Sequence, residues 1–188
     1  MRNNTTRDAI IELGRSYMQT IGYHSFTYKQ IAIELGIKNS SIHHYFPFKE
    51  DLALAVIEKD KHDFKFMVES IKAESPTARA EALLNNYTQY FKDGQKLCVI
   101  STFGTSFNDI SKNIQRSASE YIALVIKWLT DIFKEGLESN EFSFKDSPED
   151  MTAIWVSALP GSLSVGRMHG VDYFDQIISR LKKSLKEA

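Results

Sequence analysis

The stretch that decides the fold is Thr27-Tyr28-Lys29-Gln30-Ile31-Ala32-Ile33-Glu34-Leu35-Gly36-Ile37-Lys38-Asn39-Ser40-Ser41-Ile42-His43-His44-Tyr45-Phe46-Pro47-Phe48-Lys49-Glu50-Asp51-Leu52. Two short helical segments, Thr27 to Leu35 and Asn39 to Tyr45, are joined by Gly36-Ile37-Lys38, the length and glycine content of a helix-turn-helix connection. Gly36 permits the tight turn and Pro47 stops the second segment. Ile31 and Ala32 are expected inside the helix pair, with Ile42 and Phe46 anchoring the second segment to helix 1, the helix that precedes the pair. That leaves Lys38, Asn39, Ser40, Ser41, His43 and His44 outward. Short or polar side chains are what a helix needs where its N-terminal end enters the major groove and meets base edges.

Outward from this stretch, apolar residues recur at spacings of three and four, the helical period. A first helix starts behind the caps Thr5 or Thr6, turns Ile10, Leu13, Tyr17, Met18 and Ile21 inward, and ends before Gly22. After Pro47 a long helix runs from Lys49 to about Lys72, opened by Glu50 and Asp51, whose charge suits the positive end of its dipole. Ser75-Pro76 caps the next helix, which buries Leu83, Leu84, Tyr87, Tyr90 and Phe91 and closes at Gly94. A short segment from Cys98 to Phe107 precedes the longest helix, Ser111 to Leu137. Ser147-Pro148-Glu149-Asp150 begins a helix towards Gly170, with a kink expected at Pro160-Gly161, and a last helix starts near Asp172. The predicted fold is all-α, with about nine helices: a helix-turn-helix head over 1–48 and a larger body over 49–188.

The 188 residues are 43% apolar, enough for one large core or a small head with a body. The net charge of -1 excludes a surface coated in cations, so nucleic-acid contact has to come from a local patch. In residues 1–52, six Lys or Arg stand against five Asp or Glu, so each subunit makes few phosphate contacts and a symmetric dimer would double them. Met1 to Asp8 is polar, and the longest apolar run, Leu52 to Ile57, is far below membrane-spanning length. A cytoplasmic protein with no membrane partner is expected.

From Gly22 to Leu52, a glycine, Ile31-Ala32, the turn Gly36, an aromatic-rich second helix and Lys49-Glu50-Asp51-Leu52 follow in fixed order. In this the chain resembles the TetR family of bacterial transcription regulators. The resemblance implies a ligand-responsive repressor that binds a palindromic operator in double-stranded DNA as a homodimer and is released by a small-molecule effector. It places Thr27 and Tyr28 at a helix start that holds a phosphate, and Tyr45 and Lys49 on the backbone at the other side, with Lys49 as the main phosphate clamp. Lys38 and Phe48 stand where the family often has capping serines, which leaves Asn39 as the expected cap of the second segment. Tyr28 and His43 replace a small residue and a frequent tyrosine.

For the body, the resemblance implies a ligand cavity formed by helices within roughly 53–140 and a four-helix dimer interface from the last two helices. Phe64, Met67, Tyr87, Tyr90, Phe91, Phe103, Phe107, Trp128 and Trp155 fit an apolar pocket, and equally fit plain core. Ile154, Trp155, Ala158 and Leu163, with Phe174, Ile177, Ile178, Leu181 and Leu185, fit a dimer seam or an intramolecular face. Cys98, the single cysteine, is a sensing thiol beside Lys96 or a buried apolar group. No cofactor and no metal are expected. His43 and His44 are adjacent and point about 100° apart on a helix, whereas ligands need a spacing of three or four. No enzyme is expected either, since GxGxxG, P-loop, GxSxG, HExxH and paired-cysteine motifs are missing. The rival functions are an activator or a ligand-independent DNA-binding protein with the same head, and a helical interaction module that has lost DNA binding.

Overall fold

The computed structural model describes residues 2–186. Among them the ordered elements are nine helices: α1 (Arg2–Thr20), α2 (Tyr28–Leu35), α3 (Asn39–Tyr45), α4 (Lys49–Ser70), α5 (Pro76–Lys92), α6 (Val99–Thr105), α7 (Lys112–Glu138), α8 (Pro148–His169) and α9 (Val171–Ser184). They form two compact units, Met1–Lys65 with Val99–Tyr121, and Phe66–Cys98 with Ile122–Ala188, whose boundaries fall within α4, just before α6, and within α7. The first unit holds the whole helix-turn-helix. Among the described residues no helix is long and apolar enough to cross a membrane.

In the first unit, Ile10, Met18, Ile31, Ile42, Leu52, Val56 and Ile57 are fully buried in one cluster with Phe26, Phe46 and Phe103. Gly14 lets α1 and α4 approach, because a Cβ there would lie 2.9 Å from Leu52 Cδ2. Ile21, expected inward, is 46% exposed: α1 ends at Thr20, and the chain turns away at Gly22 with φ of 90°. Below this apolar layer lies a polar lock. Arg15 Nε donates to Asp60 Oδ1 at 2.5 Å and Arg15 Nη1 donates to Gln19 Oε1 at 3.1 Å, with Asp60 and Gln19 both buried. Burial pushes the Asp60 carboxyl above its ordinary range, while Arg15 opposes the shift.

In the second unit, Phe133 is the hub of an aromatic cluster. Its ring centre lies 5.3 Å from Trp155, 5.8 Å from Phe144 and 6.1 Å from Phe142, each edge to face. Phe142 lies so close over α7 that a Cβ at Gly136 would be 2.0 Å from its ring. Ser147 caps α8 by accepting from the Asp150 N–H at 3.0 Å, with Pro148 at the first helical position. Helix α8 runs from Pro148 to His169 with Pro160, where a kink is expected, in its interior. Phe91 of α5 stacks on Phe174 of α9 at 4.2 Å, and Gly166 is the gap that admits the Phe91 ring.

Candidate nucleic-acid interface

The helix-turn-helix is fixed at each joint by a distinct local device. Thr27 begins α2 with a capping box: its side chain accepts from the Gln30 N–H, and Gln30 Oε1 accepts from the Thr27 N–H at 2.7 Å. Gly36 ends α2 in the left-handed region with φ of 64°, and its N–H bonds back to the carbonyls of Ala32 and Ile33. The residue at the N-cap of α3 is Lys38, and its side chain makes no capping bond. Asn39, expected as that cap, is instead the first helical residue. At the start of α4, the Asp51 carboxylate accepts from the Phe48 N–H at 2.8 Å, the reciprocal half of a capping box whose other half Phe48 has no side-chain acceptor to supply.

Ile42 and Phe46 are buried, which sets the phase of α3. Lys38, Asn39, Ser40, His43 and His44 are consequently exposed, Ser41 and Tyr45 half-buried. His43 Nδ1 lies 3.3 Å from the Pro47 carbonyl and its ring meets Tyr28 edge to face at 5.0 Å. His44 meets the Tyr45 ring at 5.3 Å. The outward row of α3 is therefore polar, narrow and rigidly mounted.

Of the residues assigned to phosphate by resemblance, Lys49 and Tyr28 are held by carbonyls of their own chain. Lys49 is turned inward: its ammonium donates to the Phe26 carbonyl at 2.6 Å and the His24 carbonyl at 3.4 Å, and sits 4.1 Å from the centre of the Phe26 ring. Burial lowers its pKa. The Tyr28 ring is buried and its hydroxyl donates to the Phe48 carbonyl at 2.7 Å, with burial pushing the phenol upward. The Thr27 hydroxyl and N–H belong to the capping box. These three groups fasten the corner between α1, α2 and α4 together. Exposed cations on the same elements are Lys29 on α2, Lys38 before α3, and Arg7 of α1, whose guanidinium lies 5.3 Å above the Phe46 ring. Lys29 and Arg7 were missed by motif reading. For Lys29, one residue and about 100° along α2 from buried Tyr28, the helical phase is the signal that marks it.

The aromatic candidates of the body fall into separate clusters. In the first unit, Phe103 is fully buried against Tyr23, Phe64 is buried beside Tyr121, and Phe107 is 40% exposed. In the second, Trp155 is fully buried on Phe133, Phe91 is buried on Phe174, Tyr87 contacts Tyr90, and Met67 and Trp128 are half-buried. Among the described residues, Arg79 Nε and Trp155 Nε1 are buried donors with no acceptor. Cys98 is half-buried, packed with Phe91, Leu163 and Phe174.

The seam candidates also separate. Leu163, Phe174 and Leu181 are buried by their own chain, with Ile178 partly buried behind them. Ile154, 47% exposed, Ala158 and Ile177 instead line an open groove of about 530 Å³ on α8 and α9, together with Tyr173, Gln176 and Arg180.

A three-helix head whose third helix offers a polar face, joined in one chain with a helical body, defines a helix-turn-helix protein of the DNA-binding class. Residues 10–56 match the family described as bacterial regulatory proteins, tetR family. The fold agrees over the whole chain. A TetR transcriptional regulator from Legionella pneumophila is 26% identical, with a TM-score of 0.85 over 96% of this chain and 97% of that one. A TetR-family regulator from Agrobacterium tumefaciens, 20% identical, superposes with a TM-score of 0.90 over 98% and 99%. E. coli NemR in its reduced form, 16% identical, shares the fold with a TM-score of 0.77 over 96% and 97%. No curated protein matches the chain. Over residues 10–56 the chain matches the DNA-binding domain of the TetR family, and over its length it has the fold of the TetR-family transcriptional regulators it resembles.

Proposed function

We propose that the chain is a ligand-responsive transcriptional repressor that binds a palindromic operator as a homodimer and is released by a small-molecule effector. The observation that carries this reading is the outward row Asn39, Ser40, His43 and His44, held in helical phase by buried Ile42 and Phe46. Such a row meets base edges while exposed Lys29, Lys38 and Arg7 meet phosphates on either side. Lys49, Tyr28 and Thr27 act here as positioning residues that hold α2 and α4 in register.

Dimerisation is supported by the open apolar groove at Ile154, Ala158 and Ile177, which a second copy covers by two-fold symmetry. Helix α4 contributes residues to both units and is the natural carrier of the response. An effector that favours a different α4 tilt shifts the population away from the DNA-binding state.

The test is transcription in vitro from a promoter carrying a selected operator, with and without a panel of apolar ketones and carboxylic acids. Repression relieved by a panel member supports the reading, and linkage then requires operator DNA to weaken that compound's binding by the same factor. Increased transcription on adding the protein would establish an activator instead.

A further inference from the structure

The mounting of His43 determines what its free edge can recognise. Its Nδ1 lies 3.3 Å from the Pro47 carbonyl oxygen, and a carbonyl oxygen only accepts. In the uncharged ring a proton on Nδ1 donates to Pro47 and leaves Nε2 as a lone-pair acceptor. Rotation away from this arrangement is opposed on a second side, because the ring meets Tyr28 edge to face at 5.0 Å. Tyr28 is itself buried and tethered through its hydroxyl to the Phe48 carbonyl at 2.7 Å. His43 is thus an exposed imidazole on the outward side of α3, oriented by the Pro47 carbonyl and the buried Tyr28 ring.

We propose that His43 reads an exocyclic amino group in the major groove, the N6 of an adenine or the N4 of a cytosine, through Nε2. These are the base-edge donors the major groove offers, whereas guanine presents the acceptors N7 and O6, and thymine the acceptor O4 with a methyl group. Phosphate oxygens are acceptors too, so an Nε2 lone pair does not bind them. This inference rests on the reading of the head as a DNA reader and adds the class of base that one of its residues selects.

The experiment is selection of random duplex DNA by the full-length protein at pH 8, above the range in which histidines usually change charge. Binding of single-position variants of the winning duplex is then compared for the wild type and for His43→Ala. One position per half-site is expected where adenine or cytosine is preferred by about five- to tenfold, a preference that flattens in His43→Ala. Replacing that adenine with purine, or that cytosine with 2-pyrimidinone, removes the amino group. The replacement is expected to weaken wild-type binding by the same factor and to leave His43→Ala unaffected. The salt slope of binding and the melting temperature are expected to stay unchanged in His43→Ala, because the residue is exposed and makes no phosphate contact.

A His43-dependent preference for guanine overturns the proposal. So does a salt slope reduced by about one in His43→Ala, which identifies a phosphate contact. Unaltered base preferences in the variant would likewise remove His43 from the reading. Failure to enrich any sequence with the wild type removes the DNA-reading role itself, a distinct result.

Discussion

Replacing Lys49 with methionine separates a structural lysine from a phosphate clamp. The ammonium makes a short bond to the Phe26 carbonyl at 2.6 Å, a longer one to the His24 carbonyl at 3.4 Å, and lies 4.1 Å from the centre of the Phe26 ring. A hydrogen bond from a charged donor contributes about 1.5–3 kcal/mol, and a partly desolvated cation over an aromatic ring about 1 kcal/mol. Against this stands the lost hydration of the ammonium, the same burial that lowers its pKa. Methionine keeps most of the aliphatic stem, so the net loss on Lys49→Met is about 2 kcal/mol, or about 4–8 °C in Tm for a protein of this size. Thermal melts and urea titrations measure that loss directly. Operator binding across a salt series supplies the second readout, and its slope is expected to match the wild type, since no counterion release depends on this residue. An unchanged Tm together with a slope reduced by about one would refute the inward role and restore Lys49 as a clamp.

Three other substitutions test the packing. Gly136→Ala places a Cβ about where the Phe142 ring now lies, and is expected to cost about 2–3 kcal/mol in urea titrations; a neutral effect would mean that Phe142 has room to move. Arg15→Met leaves the buried Asp60 carboxylate without its cation and is expected to destabilise by about 3–5 kcal/mol, most of which returns in the double variant Arg15→Met, Asp60→Leu. Equal stabilities of the single and double variants would show that the pair is not coupled. Ile154→Glu sets a charge into the groove on α8 and α9 and is expected to yield monomers in sedimentation equilibrium at micromolar concentration, with the melting profile of the isolated chain preserved.

The helices were legible because their signals are local. Ser75-Pro76 and Ser147-Pro148 mark starts that any tertiary setting leaves in place, and Gly36 marks a left-handed turn that other residues strain to adopt. Side-chain direction was not legible in the same way. Lys49 and Tyr28 match positions that face phosphate by resemblance, but here the Phe26 and Phe48 carbonyls capture them, and those acceptors come from other parts of the chain. The stripe Phe174, Ile178 and Leu181 announced an apolar face of α9 without saying what covers it; Phe91 and Leu163 of the same chain cover much of it, leaving Ile177 on the neighbouring face. Phe142 and Phe144 escaped the helical reading because they lie in a non-helical turn after α7, where their alternation sends both rings onto Phe133. The two unpaired donors, Arg79 Nε and Trp155 Nε1, are visible only once every neighbouring acceptor has been placed.

Selection of random duplex DNA by the purified full-length protein, with the winning sequence titrated across a salt series, tests the DNA-reading head most directly. The account predicts an enriched palindrome whose half-sites are about one helical turn apart, or a multiple of it, bound with a steep salt dependence. Failure to enrich any sequence at low or moderate salt would contradict it and leave the outward face of α3 to some partner other than DNA.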